Sequence, residues 1–242
     1  MPYKHDTNLD FLKTCSSADL DVLVQVLIKE IGGVIRMSGN LTKSELYRKH
    51  APNHSAYWQQ IACEIQCFGA NTFATWLRGG HGVEYKKILM DVCRIMKVNF
   101  DPCSSVELIE LNLLVKIMID SLENKTAEQI KELVLEWNLD TTDFTKQAVI
   151  VAIQTGVASS GLLAYRIASV VANQSARPFA ALGLSLSASA EMQRGFSISA
   201  GPIGWIVTTL WNAYSIARPA FRVTIPCVIQ IAYLRLKVQQ QG

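Results

Sequence analysis

Four side chains in the first third of the chain have the types and the spacing of zinc ligands. Cys63 and Cys67 are four residues apart, so in a helix their sulfurs share one face. His50 and His54 precede them at the same spacing, and two histidines with two cysteines can hold zinc tetrahedrally. Pro52 lies between the histidines and disfavours a regular helical turn there. We therefore interpret the cysteines as buried structural thiols and predict no metal.

A glycine-rich run at 78–82, with the sequence RGGHG, could bind an anion. It precedes a predicted helix, and the N–H groups at a helix N-terminus attract phosphate. The run lacks the Gly-Lys-Ser/Thr sequence that completes a P-loop. We therefore prefer to interpret it as a connector between two helices.

Glu64 and Gln66 are polar residues within a predicted apolar helix, and the carboxylate is a candidate general base. They are two residues apart, so they do not share a face. Polar groups in such positions usually satisfy a nearby backbone group. The sequence also lacks the Gly-x-Ser-x-Gly and His-Glu-x-x-His motifs. We predict a protein that is not an enzyme and has no catalytic residues or cofactor.

The elements that position these side chains are predicted to be helices. Gly32-Gly33 is predicted to end the first long helix, and capping boxes at Ser104 and Thr126 predict two later helix starts. No strand pattern of any length occurs in the first 140 residues, which predicts an all-α fold. The apolar residues of the first helix recur on one face, at Leu20, Leu23, Val24, Leu27, Ile28 and Ile31.

Charge is distributed unevenly along the chain. Residues 1–150 carry 16 basic and 19 acidic side chains, a net charge of −3, whereas 151–242 carries seven basic and one acidic, a net charge of +6. The basic end is also apolar, with uncharged stretches at 147–165 and 195–217. This composition is typical of a surface that meets lipid, an acidic polymer or a hydrophobic partner.

Small residues recur at every fourth position in the same region. Such a row lets two helix backbones approach closely, as in membrane helices, although an alanine-rich helix in a soluble core has the same row. Close helix packing is predicted at Ala152, Gly156, Ser160 and Ala164, within the row Ala148, Ala152, Gly156, Ser160, Ala164, Ala168 and Ala172.

The stretch 147–165 is long enough to cross a membrane, but its composition does not require it. Its 19 residues would form a helix of about 28 Å, close to the hydrocarbon thickness of about 30 Å. Gln154, Thr155 and Ser159 make the stretch only moderately apolar. Spanning, triggered insertion of a hairpin, docking at the interface and a soluble helical domain all remain open.

Basic and aromatic side chains near the end of the chain are the predicted contacts with a membrane or a hydrophobic partner. Their arginines would meet lipid phosphate or acidic groups. Nucleic acid is not expected, because the basic residues are spread through apolar sequence. Pro226 is predicted to break or kink the last helix. The predicted contacts are Arg166, Arg177, Arg194, Trp205, Trp211, Arg218, Phe221, Arg222 and Arg235.

Several blocks of sequence are distinctive, namely NLDFL at 8–12, WQQIACEIQCFG at 58–69, RGGHGVEY at 78–85, GPIGW at 201–205, PAFRVTIP at 219–226 and IQIAYLR at 229–235. In this order they resemble the YaaW family of bacterial proteins. The resemblance spans most of the chain and implies a bacterial cytoplasmic protein. For the middle of the chain it implies a remote similarity to the ubiquinol–cytochrome c chaperone domain, an all-α assembly-factor fold. It implies no activity.

These observations predict a helical bundle of the assembly-factor type at 1–140, followed by an apolar helical part rich in small residues at 141–242. The N-terminal residues lack the apolar segment of a secretory signal, so we expect a cytoplasmic protein, either soluble or at the inner membrane. The expected function is non-catalytic docking on a membrane or a hydrophobic partner through the second part. A membrane-permeabilising effector with a buried hairpin and a wholly soluble adaptor are the alternatives.

Overall fold

The computed structural model of the 242-residue chain describes residues 3–31, 33–37, 39–69, 82–123, 125–180, 204–206, 209–210, 212–213 and 219–241. Every regular element in these ranges is helical, and extended pairing is limited to one isolated bridge between Lys29 and Ile35. The predicted all-α fold class is therefore confirmed.

The described residues form a series of α-helices and three 3₁₀ turns. The 3₁₀ turns are Asp10–Thr14, Leu41–Lys43 and His54–Tyr57. The α-helices are α1 (Ser17–Ile28), α2 (Glu45–His50), α3 (Trp58–Gly69), α4 (Tyr85–Ile95), α5 (Val106–Asp120), α6 (Ala127–Trp137), α7 (Lys146–Ser159), α8 (Gly161–Ala180) and α9 (Phe221–Gln241).

Hydroxyl side chains cap the helix starts, as the sequence predicts. The capping box at Thr126 is confirmed, because its hydroxyl accepts from the Gln129 N–H and the Gln129 side chain accepts from the Thr126 N–H. The box predicted at Ser104 is wrong by one residue. Ser105 has the extended backbone of an N-cap, and its hydroxyl accepts from the N–H of Leu108.

The last helix, α9, is the central element of the fold. It packs against α1, α3, α4, α5 and α8, and every residue from Val223 to Arg235 is buried. A helix that is covered on all sides belongs to a core. The predicted break at Pro226 is wrong, because α9 continues through it. The expectation that the apolar end of the chain seeks lipid is also wrong for α9, which is covered by the protein itself.

The helices α7 and α8 meet at a sharp bend of 114°. Gly156 allows this close approach, because a Cβ atom there would lie 2.5 Å from Cδ2 of Leu163. Beyond the bend, Ala164, Ala168 and Ala172 are buried. The row of small residues therefore divides into a part on α7 and a buried part on α8.

Among the described residues, none of the helices taken alone has both the length and the hydropathy that a membrane span requires. The bent pair Lys146–Ser159 and Gly161–Phe179 meets the criterion on length and composition when its two helices are taken together.

We expect the substitution Ile229→Ala, in the middle of α9, to lower the free energy of unfolding by about 2–5 kcal/mol, because the side chain is fully buried. Leu135→Ala, on an exposed position of α6, is the control and should change it by less than about 0.5 kcal/mol. Urea denaturation followed by circular dichroism measures both. Equal effects of the two substitutions would contradict a central α9.

Candidate functional site

A buried ion pair joins α5 to α9. Arg235 Nε donates to Glu110 Oε2 at 2.8 Å, and the hydroxyl of Tyr85 donates to Glu110 Oε1 at 2.6 Å. Glu110 is 3% exposed and Arg235 is 8% exposed. The guanidinium also donates through Nη2 to the backbone carbonyl of Asn8 at 2.7 Å and lies 4.4 Å from the ring centroid of Phe11. Arg235 therefore connects three distant parts of the chain.

The prediction that Arg235 contacts a membrane or a partner is wrong, because its charge is used inside the protein. Burial raises the pKa of Glu110, and the charge of Arg235 and the hydrogen bonds from Arg235 and Tyr85 oppose that rise. Burial also raises the pKa of Tyr85, and the neighbouring carboxylate raises it further. With its charges and hydrogen bonds matched inside the protein, this cluster is a structural connection between α4, α5 and α9.

The N-terminal residues are attached to the same core by Asp6. This buried carboxylate accepts from the backbone N–H of Tyr85 at 2.6 Å and from that of Asn8 at 3.0 Å. Nearby, Lys237 Nζ donates to Asp19 Oδ1 at 2.6 Å, which ties the end of α9 to α1. Residues close to both ends of the sequence are thus held together by charged hydrogen bonds.

His54 does not form the zinc site that its spacing suggested. Its Nε2 lies 3.0 Å from Asp21 Oδ1, and its Nδ1 is hydrogen-bonded to the hydroxyl of Tyr57. The ring is buried with both nitrogens occupied, so it does not face Cys63 and Cys67 as a ligand. Within the described ranges, no three His, Cys, Asp or Glu side chains come together as a metal-binding group.

Glu64 and Gln66 satisfy backbone groups, as the sequence predicts. Glu64 Oε1 accepts from the N–H of Asn40 at 2.8 Å, and Gln66 Nε2 donates to the carbonyl of Lys4 at 2.8 Å. Burial raises the pKa of Glu64. Both side chains hold loops against α3, and Gly82 packs so closely on Gln66 that a Cβ would lie 2.5 Å from the Gln66 Cβ.

Several predicted contact residues have partners within the chain. Arg166 is exposed, but its Nη1 and Nη2 donate at 3.2 Å to the carbonyls of Trp137 and Glu136. These are the last residues of α6, where a cation is favourable. Arg177 donates to Gln174 at 3.1 Å, and Trp205 is buried with Lys125 Nζ 4.8 Å from its ring centroid.

The remaining predicted contacts divide into two groups. Phe221 is half-buried and Arg222 is exposed, at the start of α9. Arg194, Trp211 and Arg218 lie outside the described residues, as do most of the glycine-rich run 78–82 and the uncharged stretch 195–203. The structure therefore places none of the latter group relative to the core.

An open cleft of about 730 Å³ runs along α7. The predicted packing residues Ala152, Gly156 and Ser160 line it, and Gly156 also lies close to Leu163 of α8. Ala164, by contrast, is buried. Leu162, which is 61% exposed, forms part of the rim together with Asp140, Asp143 and Arg166.

An exposed apolar tip that the sequence reasoning missed follows α1. Val34, Ile35 and Met37 are 68%, 63% and 85% exposed. The tip is held in place, because the N–H of Glu30 donates to the carbonyl of Val34 at 2.7 Å and that of Arg36 donates to the carbonyl of Ile28 at 2.7 Å. The signal was present as an apolar run directly after Gly32-Gly33.

Basic side chains lie on both sides of this tip in sequence, and Lys43 contacts it directly. Lys43 Nζ donates to the carbonyl of Met37 at 3.3 Å, and Arg48 and Lys49 are exposed on the adjoining α2. Residues 28–50 carry five basic and two acidic side chains, a net charge of +3. We refer to Val34, Ile35 and Met37 with Lys29, Lys43, Arg48 and Lys49 as the apolar–basic surface.

Comparison with known proteins identifies the family. A UPF0174 protein of Helicobacter pylori strain J99 is 42% identical over 241 residues, which cover 99% of this chain and 95% of the relative. The chain belongs to the UPF0174 family. A second member, from H. pylori strain 26695, is 35% identical over 84% of this chain and 99% of its own length. The UPF0174 protein YaaW of Escherichia coli K12 is 29% identical over 98% of this chain and 96% of its own length.

The predicted resemblance to the YaaW family is thus confirmed. Residues 3–37 match a family model described as a domain of unknown function, DUF3944. In this UPF0174 protein that region holds both Asp6 and the apolar tip, so it is part of the core and of the exposed surface. No solved structure matches the chain. The similarity to the ubiquinol–cytochrome c chaperone domain stays a prediction.

We expect Arg235→Met to lower the free energy of unfolding by about 3–5 kcal/mol, because it leaves the Glu110 carboxylate buried without its cation. Adding Glu110→Met to the same protein should restore part of the loss, since neither buried charge is then left unpaired. Arg222→Met, on an exposed arginine of the same helix, is the control. Urea denaturation compares the four proteins, and an unaffected Arg235→Met would show that the pair does not hold α9.

Asp21 should make stability depend on pH. The hydrogen bond from His54 lowers the pKa of Asp21 below its ordinary value of 3.8. Because the folded pKa is the lower one, this contribution is present above about pH 3.8 and is lost as the pH falls through the folded pKa.

Asp21→Asn should therefore lower the free energy of unfolding at pH 7 by about 1.5 kcal/mol, the value of a hydrogen bond to a charged group, and flatten its decline in acid. Asp91→Asn is a matched control, because Asp91 has the same side-chain exposure of 35% but pairs with the exposed Arg94. Urea denaturation at pH values from 7 to 3 distinguishes the two. Parallel curves for wild type and Asp21→Asn would contradict the assignment.

Proposed function

We propose that this UPF0174 protein is a non-catalytic docking protein that binds an anionic membrane surface through its apolar–basic surface. The observation that carries the proposal is the exposure of three large apolar side chains within four residues, Val34, Ile35 and Met37, followed in sequence by exposed basic side chains. The expected location is the cytoplasmic face of the bacterial inner membrane, whose lipid headgroups are negatively charged.

The apolar side chains supply the first part of the binding free energy. Transfer of one Val, Ile or Met side chain from water to an apolar environment contributes about 1.5–3 kcal/mol. Three such side chains at the end of a turn can enter the interface together, and the carbonyls of Ile28 and Val34 are already paired across the turn. The tip is therefore suited to shallow insertion and not to crossing.

Basic side chains supply the second part. Each Lys or Arg close to an anionic leaflet contributes about 1 kcal/mol, and Lys43, Arg48 and Lys49, which follow the tip in sequence, are all exposed. Stable but reversible attachment usually combines an apolar and a basic contribution, since one alone is marginal. The two acidic residues of the region, Glu30 and Glu45, reduce the net charge but leave it positive.

This proposal keeps the membrane partner that the sequence suggests but moves the contact to a different part of the chain. Docking was expected through 141–242, yet α9 is buried, Arg235 is paired and Arg166 caps α6. The α7 cleft is an accessible feature among the described residues of that part. It supports a second candidate function, the binding of an apolar helix of a protein partner, because exposed Leu162 and the small residues of α7 line the same cleft.

Flotation with vesicles tests the proposal. We expect wild-type protein to float with vesicles that contain phosphatidylglycerol, and to float poorly with neutral phosphatidylcholine or in 0.5 M salt, where screening is strong. Ile35→Asp should weaken binding at least tenfold, because the lost transfer free energy exceeds about 1.4 kcal/mol, the equivalent of a factor of ten.

Leu162→Asp is the matched control, since Leu162 is 61% exposed and Ile35 is 63% exposed. It should float like wild type. Loss of flotation in Leu162→Asp with retention in Ile35→Asp would move the contact to the C-terminal part. Absence of flotation for wild type would favour the soluble adaptor, and release of a trapped dye would favour the permeabilising effector.

A further inference from the structure

The two cysteines of α3 form a pair that the proposed docking function does not use. Cys63 and Cys67 lie one turn apart on the helix, and their thiols are hydrogen-bonded to each other. Both side chains are half-buried, so the pair reaches the surface while its helix stays packed in the core. The neighbouring Glu64 points away from them toward the backbone N–H of Asn40.

The hydrogen bond makes one of these sulfurs a better nucleophile than an isolated thiol. It lowers the pKa of Cys63 to about 7, whereas the same bond and burial raise the pKa of Cys67. The pair therefore combines a more acidic thiol at Cys63 with a less acidic thiol at Cys67. A thiolate attacks soft electrophiles, and a thiol within contact distance can then react at the same atom.

We propose that Cys63 and Cys67 form a dithiol site that binds trivalent arsenic compounds through two sulfur–arsenic bonds. In the reaction with an arsenoxide, R–As=O, two S–H bonds are replaced by two S–As bonds, and the oxygen leaves with both protons as one water molecule. No electron transfer is needed, and arsenic stays trivalent. This class of ligand follows from the distance between the two sulfurs, which an arsenic atom can bridge.

A direct disulfide is disfavoured by the helix itself. Residues four apart in a helix have Cβ atoms about 5–6 Å apart, whereas a disulfide requires about 3.5–4.5 Å. Closing the S–S bond would therefore unwind the turn between the two cysteines. An arsenic atom between the sulfurs spans the wider separation and leaves the hydrogen bonds of α3 intact.

The other cysteines should not compete. Burial raises the pKa of Cys15 and Cys93 to about 12 and also raises the pKa of Cys227, so these thiols stay protonated in the folded protein. Cys103 is exposed, but it lies in a turn before α5 and has no second cysteine near it in the sequence. It can form one sulfur–arsenic bond but not a chelate.

Phenylarsine oxide is the probe. Intact-mass measurement of the folded protein, in excess monothiol, should show one phenylarsenic group per chain in wild type and in Cys103→Ser. Cys63→Ser and Cys67→Ser should show none, because a single sulfur–arsenic bond exchanges with monothiol. A dithiol added afterwards should remove the adduct from wild type.

Two further measurements distinguish loss of binding from loss of folding. Circular dichroism should show unchanged helix content in both serine variants. If one of them does not fold, Cys67→Ala is measured in its place. The thermal midpoint of wild type should rise on binding, since the adduct stabilises the folded form. Retention of the adduct in Cys63→Ser or Cys67→Ser, or its absence from wild type, would overturn the proposal.

Discussion

The pairing of Arg235 with Glu110 determines how the last helix lies in the protein. Burial of apolar surface is non-directional, so a helix that is buried on all sides could rotate or slide with little loss of apolar contact. A guanidinium fork fits a carboxylate in few orientations, and a misaligned helix would leave both charges buried and unpaired. Gln230 adds a second fixed point, because its Nε2 donates to the carbonyl of Ala172 in α8 at 2.7 Å. We infer that these polar contacts select one register among several that the apolar residues alone would permit.

The basic character of the C-terminal residues is explained in part by the same contacts. Arg235 and Lys237 pair with Glu110 and Asp19, which are carboxylates of the acidic first part. Arg166 donates hydrogen bonds to backbone carbonyls at the end of α6. The unequal charges of the two parts therefore attract each other within one molecule. Composition shows that a basic segment needs acidic partners, but it does not show whether those partners belong to another molecule or to the same chain.

Local features of the fold were predictable from the sequence because their causes are local. Helical periodicity identified the all-α class, a hydroxyl three residues from an amide identified the cap at Thr126, and a polar residue in an apolar helix identified backbone partners for Glu64 and Gln66. The central position of α9 was not predictable, because the helices that cover it lie far away in sequence and leave no signal within α9 itself. The bond between His54 and Asp21 spans 33 residues and has no spacing signature either.

The apolar tip was missed because Gly32-Gly33 was interpreted only as the end of a helix. Its second glycine has a φ of 81°, which turns the chain back on itself.

The order in which the chain is made gives the position of α9 a kinetic consequence. Asn8 and Arg235 are 227 residues apart in sequence, and the intervening helices are synthesised before the element that fills the space between them. Until α9 emerges from the ribosome, the apolar faces of α1, α3, α4 and α5 have no common partner, and contacts of such long sequence separation form slowly. A nascent chain of this protein therefore carries a groove shaped for its own last helix, and other apolar helices present during translation can compete for it.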